Sequence, residues 1–205
     1  MKDLTRTFVA LLLPEDWMDY LAKLSRDLAS GTSGLSWVKP ENFHMTVRFL
    51  GDLGDSGVRR VCDTVTEAAA PLPAPRARLG DLGAFPNLAR PRVLWLGFAE
   101  GGPELETTGK SVNDALRKAG FGPPDKPFRP HLTLARVREG ARGLDLVRGA
   151  KIPPRPDAGL LDRIVVMKSD LHPTGSRYTA LTEIRLRPPG GHTPTPPRTG
   201  TSPEP

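Results

Sequence analysis

The chain has a single cysteine, Cys62, so it can form neither an internal disulfide nor a cysteine-rich zinc module. Long hydrophobic runs are also missing. The longest one near the start, residues 8–13, falls far short of the roughly 20 residues that a spanning helix needs. Lys2 and Arg6 precede that run, but Pro14, Glu15 and Asp16 follow it without a small-residue cleavage site, so no secretory signal is read there. A reducing, cytoplasmic setting is the expectation, with no membrane attachment. Histidine is scarce too. There are four in 205 residues, which gives weight to any pattern in which two of them recur.

Positive charge, by contrast, is in surplus. The formal net charge is +6, and the segment from residue 188 onward carries only Arg198 and Glu204, which cancel, so the excess belongs to the rest of the chain. Such a surplus suits polyanionic partners by electrostatic steering, although many soluble proteins carry as much without one. The final 18 residues, PPGGHTPTPPRTGTSPEP, hold seven prolines and almost no apolar side chain. They bury too little surface to offset ordering entropy, so residues 188–205 are expected to be a disordered tail, with His192 in it. Residues 1–187 are expected to form one domain, and a site built within one chain makes a monomer the economical expectation.

Within residues 1–187, apolar runs alternate with helical patterns. Residues 5–13 read as a buried strand, after which Pro14 opens a helix with Trp17, Tyr20, Leu21, Leu24 and Leu28 on one stripe. Short strands are expected at 37–38 and 44–50, and a second helix over 55–69 with Val58, Val61, Cys62, Val65 and Ala69 inward. The second half is built in the same way, with strands at 76–82 and 93–98 and a helix over 103–119 with Gly120 beyond it. Another strand follows at 131–137 and two more at 162–169 and 178–186, around a turn at 172–176. Residues 140–157 read as a short helix or a loop. Strands interleaved with helices define an α/β (α+β) protein, not a bundle or a sandwich.

Two of these strands share a local pattern, His44-Met45-Thr46-Val47 and His131-Leu132-Thr133-Leu134, 87 residues apart. Strand alternation sets His44, Thr46 and Arg48 on one face with Met45, Val47 and Phe49 behind them, and likewise His131 and Thr133 before Leu132 and Leu134. A polar His/Thr face on an apolar back suits the wall of a cleft. A third occurrence, His172-Pro173-Thr174-Gly175, carries the proline and glycine of a turn and is set aside. The chemistry suits a pair, because one imidazole can act as base while the other acts as acid near neutral pH. In-line displacement at phosphorus needs both, on opposite sides, with hydroxyl donors between them. Zinc is the rival, but no third ligand of comparable clarity accompanies the two histidines, and no metal or other cofactor is expected.

The motifs in their contexts, ENFHMTVRFLG and FRPHLTLARV, resemble the two-histidine phosphoesterase superfamily, and within it the RNA 2′,3′-cyclic phosphodiesterases also known as 2′-5′ RNA ligases. PRVLWLGF at residues 91–98 and KSDLHPTGSRY at 168–178 extend the likeness, which covers about residues 4–187. The resemblance implies a bilobal fold, with two related lobes of antiparallel-type sheets around a central cleft and one histidine strand from each. It implies hydrolysis of an RNA 2′,3′-cyclic phosphate to a 2′-phosphate without metal or nucleotide cofactor. Carried over, His44 would be the general acid, His131 the general base, and Thr46 and Thr133 the holders of phosphate oxygens. Arg136 would bind phosphate as well. Yet strict alternation sends it to the face of Leu132 and Leu134, unless the strand bulges near Ala135.

Further expectations concern the surroundings of the motifs. Arg48, on the His44 face by alternation, is a second candidate for phosphate. Arg129 is a candidate for the RNA backbone, and Tyr178 for stacking on a base or for packing at a lobe edge. Trp37 and Trp95 are expected in the core, whereas Phe43 and Phe128 lie near enough to the motifs to stack on a terminal base. Three other functions remain open on these residues: 2′-5′ joining by the same acid and base run backwards, hydrolysis of a small cyclic nucleotide or ADP-ribose cyclic phosphate, and an RNA-end binding module without turnover.

Overall fold

A computed structural model describes residues 4–150, 152–173 and 175–189. From residue 190 on, the proline-rich segment expected to be a disordered tail lies outside the described residues, as does His192. The chain order is β1 (Thr5–Leu11), α1 (Glu15–Ala29), β2 (Ser33–Trp37), a 3-10 turn (Pro40–Asn42), β3 (Met45–Leu53), α2 (Asp55–Ala69), β4 (Arg76–Phe85), β5 (Val93–Glu100), α3 (Gly102–Leu116), a π-type turn (Arg117–Phe121), β6 (Leu132–Arg142), α4 (Leu144–Arg148), β7 (Gly159–Leu160), β8 (Arg163–His172) and β9 (Gly175–Arg185).

The strands form two sheets, β3-β1-β8-β9 and β2-β6-β5-β4-β7, and every strand pairing in them is antiparallel. Each sheet takes one histidine strand, β3 in the first and β6 in the second. The fold is therefore the two-lobed α/β arrangement that the sequence resemblance implies. β3 and β6 approach within 8 Å of one another, Cα to Cα, which brings the two sheets together along the strands that matter most.

One face of each sheet is covered. The helices present narrow apolar stripes, with Trp17, Leu21, Leu24 and Leu28 on α1, Val61, Val65 and Ala69 on α2, and Leu105, Val112 and Leu116 on α3. These meet Val9, Leu11, Ile164 and Val166 of the first sheet and Leu79, Leu96, Leu132 and Leu134 of the second in one continuous buried cluster. Each such side chain, fully removed from water, contributes about 1.5–3 kcal/mol. The cluster spans both sheets, so the two lobes share a core. Polar ties reinforce it at the edge: Trp17 Nε1 donates to the Asp157 carbonyl at 3.2 Å, and Tyr20 Oη to that of Pro153 at 3.2 Å. No helix among the described residues is long and apolar enough to cross a membrane.

Candidate active site

The opposite, helix-free faces carry the motif residues. On the first sheet, β1 and β3 pair Leu11 with Met45 and Ala10 with Thr46, but then Val9 with Arg48, so that Val47 is an extra residue. On the second, Leu96 pairs with Leu132, Trp95 with Thr133 and Leu94 with Ala135, leaving Leu134 as the extra residue. Each motif thus contains a β-bulge at its fourth position. The bulge reverses the alternation that follows it. Burial runs in the same order along both strands: Met45 buried, Thr46 half-buried, Val47 and Arg48 buried, Phe49 exposed, matched by Leu132, Thr133, Leu134, Ala135 and Arg136.

Two expectations turn on these bulges. Arg48 does not lie on the His44 face. It pairs with Val9 on the core side, is 5% exposed, and donates through Nη2 to the carbonyls of Phe121 (2.7 Å) and Gly122 (2.8 Å) and through Nη1 to that of Asn113 (3.4 Å). Its guanidinium ties β3 to the end of α3 and cannot serve a phosphate from there. Arg136, by the same device in the other strand, is turned onto the His131 face beside Val93, exposed and without an ion-pair partner among the described residues.

The two imidazoles are held alike. His44 Nδ1 donates to the carbonyl of Asn42, two residues back, at 2.8 Å, and His131 Nδ1 to that of Arg129 at 2.7 Å. A carbonyl only accepts, so the proton of each neutral ring sits on Nδ1 and the lone pair on Nε2. His44 Nε2 lies 3.0 Å from Thr46 Oγ1, within reach of its hydroxyl proton. Burial pushes the pKa of His44 below its ordinary value, partly opposed by the Asn42 carbonyl, and burial does the same to His131 against the Arg129 carbonyl. In both rings burial thus disfavours the charged form.

Aromatic rings pack around the pair. Phe8 and Tyr178 flank His44 at 5.0 and 5.3 Å between centroids, Tyr178 meeting it edge-on. Phe85 meets His131 edge-on at 5.1 Å, and Trp95 lies 6.4 Å away. Trp95 is a correction, since it belongs to the His131 face and not to the core. The regular alternation of β5 sends Leu94 and Leu96 inward and Trp95 outward, which its long apolar run conceals. Gly83, its neighbour on β4, makes room for it, because a Cβ there would fall on the six-membered ring of the indole. Phe43 is buried at 4% exposure and Trp37 packs against the core, while Phe128 lies against Gly109 of α3.

The rest of the expected set is distributed around these faces. Tyr178 touches His44, and Arg129 contributes its carbonyl to His131 while its exposed side chain borders a groove of about 640 Å³ that contains neither histidine. His172 closes the β8–β9 hairpin opposite Gly175, as a turn residue should. Among the described residues no group of three His, Cys, Asp or Glu is placed to hold a metal ion.

Two histidines latched alike through Nδ1, each with a threonine on its own strand, make up the candidate site. Comparison with known proteins gives the family. The family model for LigT-like phosphoesterases matches residues 11–95 and 97–178, and the chain belongs to that family. It is 37% identical over 145 residues to the RNA 2′,3′-cyclic phosphodiesterase of Archaeoglobus fulgidus, covering 70% of this chain and 79% of that one. To the enzyme of the same name from Thermus thermophilus it is 32% identical over 189 residues, covering 89% and 90%. The crystal structure of a Thermus thermophilus protein superposes with a TM-score of 0.68 at 28% identity, over 90% of this chain and 99% of that one.

Proposed function

We propose that the protein hydrolyses the 2′,3′-cyclic phosphate at the end of an RNA to a 2′-phosphomonoester, with no metal or nucleotide cofactor. The matched latching of the two histidines carries this reading, because it fixes one proton of each ring on Nδ1 and leaves proton exchange to Nε2, which on His44 contacts Thr46 Oγ1. His131 Nε2 takes a proton from water as the oxygen attacks phosphorus. The bond to O3′ breaks, and O3′ takes the proton from His44 Nε2. The hydroxyls of Thr46 and Thr133 and the guanidinium of Arg136 hold the non-bridging oxygens, where negative charge grows in the transition state. The incoming phosphate anion itself raises the pKa of both rings, which is how His44 comes to be protonated although burial disfavours its charge. The relatives named RNA 2′,3′-cyclic phosphodiesterase and the net charge of +6 support an RNA end as the substrate.

The test is incubation of a short cyclic-ended RNA with the protein in EDTA, beside the His44→Ala/His131→Ala double variant, with the products resolved as 2′- or 3′-phosphate. A 2′-phosphate from the wild type alone is expected. A 3′-phosphate would reverse which oxygen leaves, and equal turnover by the double variant would refute the acid/base assignment.

A further inference from the structure

In-line displacement places the attacking water and the departing O3′ on opposite sides of phosphorus. O3′ carries the terminal ribose, and with it the whole RNA chain. On the reading above, then, the RNA extends from the His44 side, whereas the His131 side faces water. A second pocket of about 400 Å³ lies on the His44 side, between the 3-10 turn before β3 and the β8–β9 hairpin, and is lined in part by Lys39, Asn42, Gly175, Ser176, Arg177 and Tyr178. Two of its walls are shared with the histidine. The Asn42 carbonyl holds His44 Nδ1, and the Tyr178 ring packs edge-on against the imidazole. The Asn42 side chain also donates to the Ser176 carbonyl at 2.9 Å, which closes the pocket between turn and hairpin.

Two cations line this pocket without partners. Neither Lys39 nor Arg177 has a carboxylate within ion-pair distance among the described residues. Asp170, directly across the hairpin from Arg177, is engaged by Lys168 at 3.1 Å. Glu41 is the one carboxylate of the lining, so the pocket keeps a net positive charge. Gly175, at φ +117, brings the hairpin backbone close to Lys39, whose Cε lies 3.7 Å from where a Cβ would stand. The volume falls within the range of about 300–1,000 Å³ typical of small-ligand sites, enough for one nucleotide beyond the terminal one.

We infer that this pocket binds the penultimate nucleotide, with Lys39 and Arg177 on the phosphodiester that joins it to the terminal ribose. The inference rests on the cyclic phosphodiesterase reading and adds to it a site that measures whether the substrate is a chain.

The test uses two cyclic-ended dinucleotides, one with the natural internucleotide phosphodiester and one with a neutral methylphosphonate in its place, on the wild type and on Lys39→Ala/Arg177→Ala. The wild type should lose about tenfold or more in kcat/KM with the neutral linkage, the scale of a charge-assisted hydrogen bond. The variant should distinguish the two by less than about twofold. The salt dependence of kcat/KM on the natural substrate should also be shallower in the variant, by about 0.7 in log–log slope for each phosphate left without its cation. A wild type indifferent to linkage charge overturns the inference, even if the variant fails to fold, and so does a variant that still discriminates tenfold. Turnover of neither dinucleotide by the wild type would instead defeat the underlying function, and the pocket's role with it.

Discussion

Arg48 offers the sharpest test of the bulge in β3. Replacement by alanine removes two short hydrogen bonds, to the carbonyls of Phe121 and Gly122, and one long one to Asn113. A hydrogen bond from a charged donor is worth about 1.5–3 kcal/mol. The Phe121 and Gly122 carbonyls are only part-buried, so the lower end applies to each. Their loss, the space left beside Asn113, and relief from burying a guanidinium combine to a net destabilisation of roughly 3 kcal/mol. For a chain of this size that lowers Tm by roughly 6–12 °C. Arg48→Lys should recover little of it, because an ammonium cannot reach both carbonyls with the planar fork of a guanidinium. Thermal or urea unfolding measures the loss, and kcat/KM per folded molecule on a cyclic-ended RNA should stay within about threefold of the wild type. A variant with unchanged Tm and a hundredfold lower kcat/KM would refute this placement and return Arg48 to the phosphate.

Both histidines have pKa values lowered from 6.5, and two pH dependences follow with a definite sign. Below pH 6.5 the unfolded chain takes up protons that the folded chain resists, so stability declines as the pH falls through that value, and His44→Gln should flatten the decline. The pH bell of kcat/KM, which reports the free enzyme, should centre below 6.5, and that of kcat should lie higher because bound phosphate favours imidazolium. A kcat/KM bell centred above pH 7 would contradict the burial of the two rings. At the other wall, Gly83→Ala drives a methyl group into the Trp95 ring, so stability should fall by about 1–3 kcal/mol with a change in tryptophan fluorescence. An unperturbed, fully stable variant would mean that Trp95 does not lie over β4.

Much of this architecture is legible in the sequence because it follows from periodicity. α2 runs over Asp55–Ala69, as its stripe of Val61, Val65 and Ala69 requires, and β1, β5 and β8 lie where apolar residues run together. The paired histidines are legible because a rare residue recurs in one pattern. What escapes is the register between partner strands. Alternation assigns Arg48 to the His44 face, but the pairing of Val9 with Arg48 inserts Val47 and turns the guanidinium inward. The same insertion at Leu134 resolves the open placement of Arg136 in favour of the His131 face. No residue type in HMTV or HLTL announces a bulge. Trp95 is misplaced for a related reason, since a tryptophan in an apolar run looks like core until a glycine opposite it is known. The Lys39 and Arg177 pocket joins positions that are far apart in the chain and has no local signal beyond the turn at residues 172–176.

Each imidazole is anchored to its own strand segment, two residues back, and among the described residues neither is hydrogen-bonded across the interface between the sheets. The position of the proton on each ring is therefore decided within its own sheet and does not depend on the other ring. One continuous core joins the two sheets, so both rings are already set in the chain without a ligand.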